Sequence, residues 1–284
     1  MGEADVRRLE RRDLTWAVRL TDLEDWGYTR EDLERLRALE PDGCFVARLG
    51  GKRVGITCST SYGKLAFIGA VIVHPDARGR HVGDALMRAT LDHLDRAGVE
   101  TARLNAYLHV VPFYEKLGFR GEYENTRYHG PVGVAAMPPG IRPAREEDLP
   151  AIAEFDAPYF GARRDRLLAR LLSEFPGHFL VARPGDRVRG YVVANPGGEG
   201  AEIGPWVADP SATGVARDLL TGEIARLGPA RIALTAPDAN RAPAGIAADL
   251  RLDTAFRTLR MFRGKDEHHG DPDGIFALAG LEKG

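Results

Sequence analysis

The 284-residue sequence predicts a mixed α/β (α+β) protein in which one unit is laid down twice. Three observations carry this. Over residues 1–130 the apolar pattern switches between strand and helix periods in the order β-α-α-β-β-β-α-β-α-β. Residues 130–140, Gly-Pro-Val-Gly-Val-Ala-Ala-Met-Pro-Pro-Gly, are small, uncharged and bracketed by prolines and glycines, which reads as a linker over 131–140 between domains at 1–130 and 141–284. Beyond it the earlier marks return: Val6 matches Ile141, Leu14 matches Leu149, Val46-Ala47 matches Val181-Ala182, Gly55 matches Gly190, Ile68-Gly69 matches Ile203-Gly204, Pro75 matches Pro210 and Gly79 matches Gly214, each pair 135 residues apart. A constant spacing through so many marks means a tandem duplication.

The elements follow in order. Val6 to Leu9 reads as the first strand, and Asp13 is the expected N-cap of a helix carrying Leu14, Ala17, Val18 and Leu20. Thr29, with Asp32 three residues on, signals a second helix through Leu33, Leu36 and Leu39, ended by Pro41. Cys44 to Arg48 and Arg53 to Thr60 form a hairpin about Gly50-Gly51, and Gly63-Lys64 turns into the next strand. That strand, Phe67 to Val73, is an apolar, β-branched run closed by His74-Pro75-Asp76. Arg78-Gly79-Arg80-His81-Val82-Gly83 leads into a helix with apolar residues Val82, Ala85, Leu86, Ala89 and Leu94, outward pairs Asp84/Arg88 and Asp92/Arg96, and Gly98 as the stop. Leu104 to Tyr107 is the next strand, and Pro112 to Phe119 a short helix closed by Gly118.

A basic, glycine-bearing loop at a helix start has a chemistry. The first turn of a helix presents unpaired N–H groups and the positive end of the macrodipole, so bare backbone delivered there binds phosphate oxygens. Arg78 and Arg80 add charge.

The stretch resembles the acetyl-coenzyme A loop of the GNAT (Gcn5-related) N-acetyltransferases, Arg/Gln-x-x-Gly-x-Gly/Ala after a strand ending Val-x-Pro. Arg78, Gly83 and Val73-His74-Pro75 match, while His81 stands at the middle glycine. Histidine is among the residues enriched at left-handed dihedrals, and its N–H serves as well as any other. Tyr114-Glu115-Lys116-Leu117-Gly118-Phe119 is similar to the family's Tyr-x-Lys-x-Gly-Phe segment.

The resemblance implies two tandem GNAT folds, each a central, mostly antiparallel sheet flanked by helices. It implies acetyl-CoA as cosubstrate, with Val71, Ile72, Val73, Arg78, Gly79, Arg80, His81, Val82, Gly83, Asp84 and Asn105 on the cofactor. It implies transfer of acetyl to a primary amine by direct attack on the thioester, a backbone N–H near Val71–Val73 polarising the carbonyl and Tyr114 protonating the departing thiolate. Trp26, Tyr28 and Phe67 would line the acceptor pocket, and the acidic residues around Trp26 suit a cationic amine or form a solvated helix face. Candidates for the base are Glu24, Asp25, His109 and Glu122. The second half is expected to be degenerate. At the constant spacing Thr213 stands opposite Arg78, Ala216 opposite His81 and Asp218 opposite Gly83, and residues 243–250 hold no tyrosine. Its Trp206, Tyr159 and Phe160 remain candidates for a cleft.

Two other readings stand beside this one: an acyl-CoA-binding or regulatory module without turnover, and a tandem acetyltransferase like mycothiol synthase. The latter would carry the intact loop in its C-terminal half. A net charge of −2 without a concentrated basic face gives no footprint for nucleic acid. No apolar stretch reaches the roughly 18 to 20 residues of a membrane span, and the charged start (Glu3, Asp5, Arg7, Arg8) is unlike a signal peptide, so a cytoplasmic protein is expected. Cys44 and Cys58 make no disulfide framework, the eight histidines show no metal-ligand spacing, and no metal is expected. The acceptor is a small-molecule or protein amine, and a homodimer is left open.

Overall fold

The computed structural model describes residues 4–197, 200–212 and 214–284. They divide into two units, one ending at Leu104 and joined by Lys283, the other beginning at Asn105.

In the first unit, strand β1 (Asp5–Arg8) is followed by helices α1 (Leu14–Thr21) and α2 (Arg30–Leu39), strands β2 (Cys44–Leu49), β3 (Lys52–Tyr62) and β4 (Leu65–Val73), helix α3 (Val82–Arg96) and β5 (Thr101–Tyr107), whose last three residues fall in the second unit. The strands lie side by side in chain order, antiparallel except for the parallel pair β4/β5, registered from Leu65↔Thr101 to Ile68↔Leu104. Strand alternation puts Cys44 and Val46 on the face covered by α1 and α2, and Phe45, Ala47 and Leu49 on the face covered by α3. Both faces are buried, which is why β4 reads as a continuous apolar run.

Local chemistry sets the boundaries. Gly50 and Gly51 both have positive φ, 56° and 81°, so the two-residue hairpin takes the turn that suits strand twist. Thr29 and Asp32 form a reciprocal capping box at α2. Asp13 opens α1 but does not cap it, contrary to expectation. Its carboxylate is taken by Arg7, Arg53 and the N–H of Glu10. Cys44 and Cys58 are buried and directly opposed across β2/β3, and no disulfide joins them.

The second unit contains α4 (Val111–Lys116), β6 (Arg120–Val132), β7 (Ile141–Pro143), α5 (Leu149–Phe160), α6 (Asp165–Glu174), β8 (Phe179–Ala182), β9 (Gly190–Gly197), β10 (Gly200–Ala208), α7 (Val215–Leu227), β11 (Ala230–Pro237), α8 (Ala242–Asp249), β12 (Asp253–Gly264) and β13 (Ile275–Ala277). Its strands are ordered β12-β6-β11-β10-β9-β8-β7, with β13 on β10. β6 runs to Val132, two residues into the expected linker, because Val132 pairs with Ala230 of β11. Among the described residues no helix is long and apolar enough to cross a membrane.

The duplication is visible in register. Gly55↔Val73 and Ser59↔Ile68 across β3/β4 reappear as Gly190↔Ala208 and Ala194↔Ile203 across β9/β10, 135 residues on. A Cβ on Gly55 would meet Ile72 O at 2.8 Å and Leu86 Cδ1 at 3.0 Å, and one on Gly190 would meet Val207 O at 2.9 Å and Leu219 Cδ1 at 2.8 Å. Each glycine therefore admits the following helix onto its strand, and Leu219 is the counterpart of Leu86. Those leucines are 133 apart, as are the residues preceding the two helices, His81 and Gly214. Two residues are missing from the second loop. The expected pairing of Asp218 with Gly83 is thereby corrected: Ala216 is the counterpart of Gly83 and Gly214 that of His81. Asp218 lies on the exposed face of α7. Thr213 lies outside the described residues.

Candidate active site

Residues 71–84, expected to meet the cofactor, all lie in the first unit. β4 carries an irregularity before it reaches the loop: Ala70 has φ +48°, and β4 holds one residue more than β3 between the pairs Ile56↔Ile72 and Cys58↔Gly69. Such a bulge takes one residue's backbone out of the ladder and re-aims the strand. It falls at the start of the Val71–Val73 stretch, where the resemblance requires a free N–H. The small pair Gly69-Ala70 inside a run of bulky residues is the only sequence sign of it.

After Val73 a single 3-10 turn, Pro75–Ala77, brings the chain to Arg78. Gly79 takes φ +70° with open space where a Cβ would project, and His81, at the helix N-cap, takes φ +57° and ψ +19°. The left-handed conformation is thus kept without glycine. His81 is exposed and its Nδ1 lies 3.2 Å from Asp84 Oδ2, so Asp84 turns back to the loop instead of forward to Arg88. Val82, Gly83 and Asp84 form the first turn of α3, whose N–H groups have no helical acceptor. Exposed backbone, open space at Gly79 and this helix end together fit the phosphates of a coenzyme A.

Arg78 is already engaged. Its Nε donates to Val73 O at 3.1 Å, and its other end is paired with Glu24, in the connection between α1 and α2. Glu24, one of the expected base candidates, is therefore an arginine partner here. The same connection holds Trp26 and Tyr28, both half-buried with ring centroids 6.0 Å apart and edge to face. Asp25 takes a left-handed conformation, φ +54°. Phe67 is 1% exposed and packs inside the sheet.

Tyr114 and Asn105 belong to the second unit. Tyr114, on α4, is buried edge to face against Phe113 and Phe119, with centroids at 5.1 and 6.0 Å. Burial pushes its hydroxyl well above the usual tyrosine value, so it stays protonated. Asn105 is committed at both ends of its amide: Nδ2 donates to Leu281 O at 2.8 Å and Oδ1 accepts from Asn125 at 2.9 Å. It brackets the returning C-terminal segment. His109 stacks beside Tyr107, and Glu122 accepts from the buried Arg260 at 2.9 Å. Glu122, Asp266 and His269 present ligand atoms within 4.8 Å of one another, a grouping no local spacing could reveal, and nothing further marks it as a site.

The repeated strand register defines a tandem architecture, and comparison with known proteins assigns its family. The GNAT acetyltransferase family matches residues 5–119 and a GNAT acetyltransferase domain matches residues 152–277. The chain is 26% identical over 300 residues to a holothin acyltransferase of Pseudoalteromonas sp. (strain SANK 73390), covering 99% of this chain and 98% of that protein. In fold it is similar to a candidate acetyltransferase from Pyrococcus horikoshii, with a TM-score of 0.83 at 24% identity over 100% of this chain and 97% of the other. It is also similar to a tandem GNAT protein from the clavulanic acid biosynthesis pathway, with a TM-score of 0.65 at 17% identity over 92% and 98%. The chain belongs to the GNAT family as a tandem GNAT protein, an N-acyltransferase by class.

Proposed function

We propose that the protein moves acetyl from acetyl-CoA to a primary amine, using the loop of residues 78–84 for the donor and Tyr114 as the acid. The observation that carries this is the backbone of that loop: a left-handed His81 and a left-handed, unobstructed Gly79 deliver main chain to the start of α3 directly after a bulged strand. The domain division is part of the proposal, with the acetyltransferase at 1–130, the linker at 131–140 and the degenerate copy at 141–284, in a cytoplasmic setting.

Acetyl-CoA supplies the activated thioester. The chain's own tasks are to seat the pyrophosphate on the N–H groups around Val82–Asp84, to present a bulge N–H near Val71 to the acyl oxygen as charge develops there, and to give a proton to sulfur. The amine nitrogen forms the C–N bond as the C–S bond breaks, and the amine's proton leaves to solvent or a base. A protonated, buried Tyr114 suits the proton donor's part, because its hydroxyl keeps its proton until sulfur needs it. The acidic connection around Trp26 suits a cationic acceptor.

The test is acetyl-CoA turnover against a panel of amines, followed by free thiol release. Since a full-length relative is named for acylating holothin, that compound belongs in the panel. Coenzyme A binding without turnover on any acceptor would favour the regulatory module instead.

A further inference from the structure

We propose that the second copy fills its own donor groove with residues Ile275–Leu278, a reading that rests on the donor assignment above. β10 and β11 run parallel in register from Gly200↔Arg231 to Ile203↔Leu234. At the end of that ladder a third segment enters. Leu278 donates its N–H to Thr235 O of β11 at 2.9 Å, and β13 pairs antiparallel with β10 at Trp206↔Ala277 and Val207↔Ile275. One stretch of backbone thus bonds to both strands where the direct ladder between them stops. Gly204 makes the room: a Cβ there would lie 1.8 Å from Leu278 O. The buried rings of Trp206 and Phe276 pack at 5.0 Å beside it.

The position matters because Trp206 is the counterpart of Val71, where the donor's acyl oxygen is assigned in the first copy. The loop alone does not bar a phosphate from the second copy, since Gly214 and Ala216 satisfy the Gly-x-Gly/Ala pattern that His81 breaks in the first. What bars it is peptide already seated where the donor's arm would run. The seat is built for this segment. Asn240 Nδ2 donates to both Asp273 O and Ile275 O at 3.0 Å, and Asp271 N–H bonds Tyr159 O at 2.9 Å. A Cβ on Gly274 would stand 2.1 Å from the Tyr159 ring, so the glycine lets the chain press onto α5.

Hydrogen exchange of the full chain, with and without saturating coenzyme A, tests the plug. Residues 275–278 should exchange as slowly as 203–208, and coenzyme A should slow exchange at 79–86 while leaving 275–278 unchanged. Asn240→Ala should speed exchange at 275–277 roughly tenfold or more without moving 79–86, since it deletes the hydrogen bond to Ile275 O and the one to Asp273 O that leads into the segment. Rapid exchange at 275–278 in the free protein, a coenzyme A-dependent change there, or no response to Asn240→Ala would each overturn the plug. Absence of protection at 79–86 would instead sink the donor assignment, and slow exchange at 275–278 without ligand would still identify a seated segment.

Discussion

Arg7 donates to both carboxylate oxygens of Asp13 at 2.8 Å, and Arg142 repeats the grip on Asp148 at 2.7 and 2.8 Å, 135 residues further along the chain. Each pair ties the first strand of its copy to the start of the helix that follows. The grip and neighbouring hydrogen bonds outweigh the cost of burying Asp13 and hold its carboxyl down at about 2. A depressed folded value means stability that is present above the unfolded carboxyl's value near 4 and is lost as pH falls from about 4 towards 2. Arg7→Ala should cost about 1–3 kcal/mol at pH 7 and much less at pH 2. Urea unfolding at the two pH values measures it, and an equal cost at both would remove the carboxylate from the account.

His81 separates binding by backbone from binding by charge. If the N–H groups hold the pyrophosphate, His81→Gly leaves coenzyme A affinity intact or better, and the protein gains about 1 kcal/mol from relief of the left-handed histidine. If the imidazole itself holds it, His81→Gly weakens coenzyme A binding. Calorimetric Kd for both proteins decides, and the first outcome is expected.

Arg78 has one guanidinium and two claims on it. Arg78→Ala should weaken coenzyme A binding more than His81→Gly does. Glu24→Gln, which keeps the shape but removes the competing charge, should raise affinity for the anionic donor at low salt, an effect that shrinks as salt is added. Weaker donor binding in Glu24→Gln would mean that the carboxylate positions Arg78 for the phosphate.

Tyr114→Phe keeps the ring that packs against Phe113 and Phe119 and removes only the hydroxyl. On the true acceptor kcat should fall by roughly 10²-fold with little change in donor KM. Because burial raises the hydroxyl's pKa, the wild-type rate should show no alkaline fall below pH 10 that Tyr114→Phe abolishes. Unchanged kcat would return Tyr114 to the core.

Features encoded by residues close in sequence were legible. The glycine pair at 50 and 51, the Thr29/Asp32 capping box and the strand–loop–helix of 67–96 are local, and structure repeats them. A left-handed His81 was legible too, since only the dihedral preference was needed. Register failed where the chain shortened: a spacing of 135 holds to Pro210, and the two-residue loss before Gly214 cannot be seen until Leu86 and Leu219 are found against equivalent glycines. The bulge at Ala70 and the short strand β13 were also hidden, because each exists only through partners on other strands. Asn105, expected on the cofactor, has its amide bonded to Leu281 and Asn125, far away in sequence.

Strand β6, the closing element of the first repeat, lies between β11 and β12 of the second and is hydrogen-bonded to both. Scissors applied at residues 131–140 would yield one piece with a bare 13-residue ribbon, both edges open to any strand that drifts by, and another with an empty slot of matching length. The halves are thus not interchangeable modules. Expressed apart they should clump or seek each other, and a lineage that once doubled this gene could not easily undouble it.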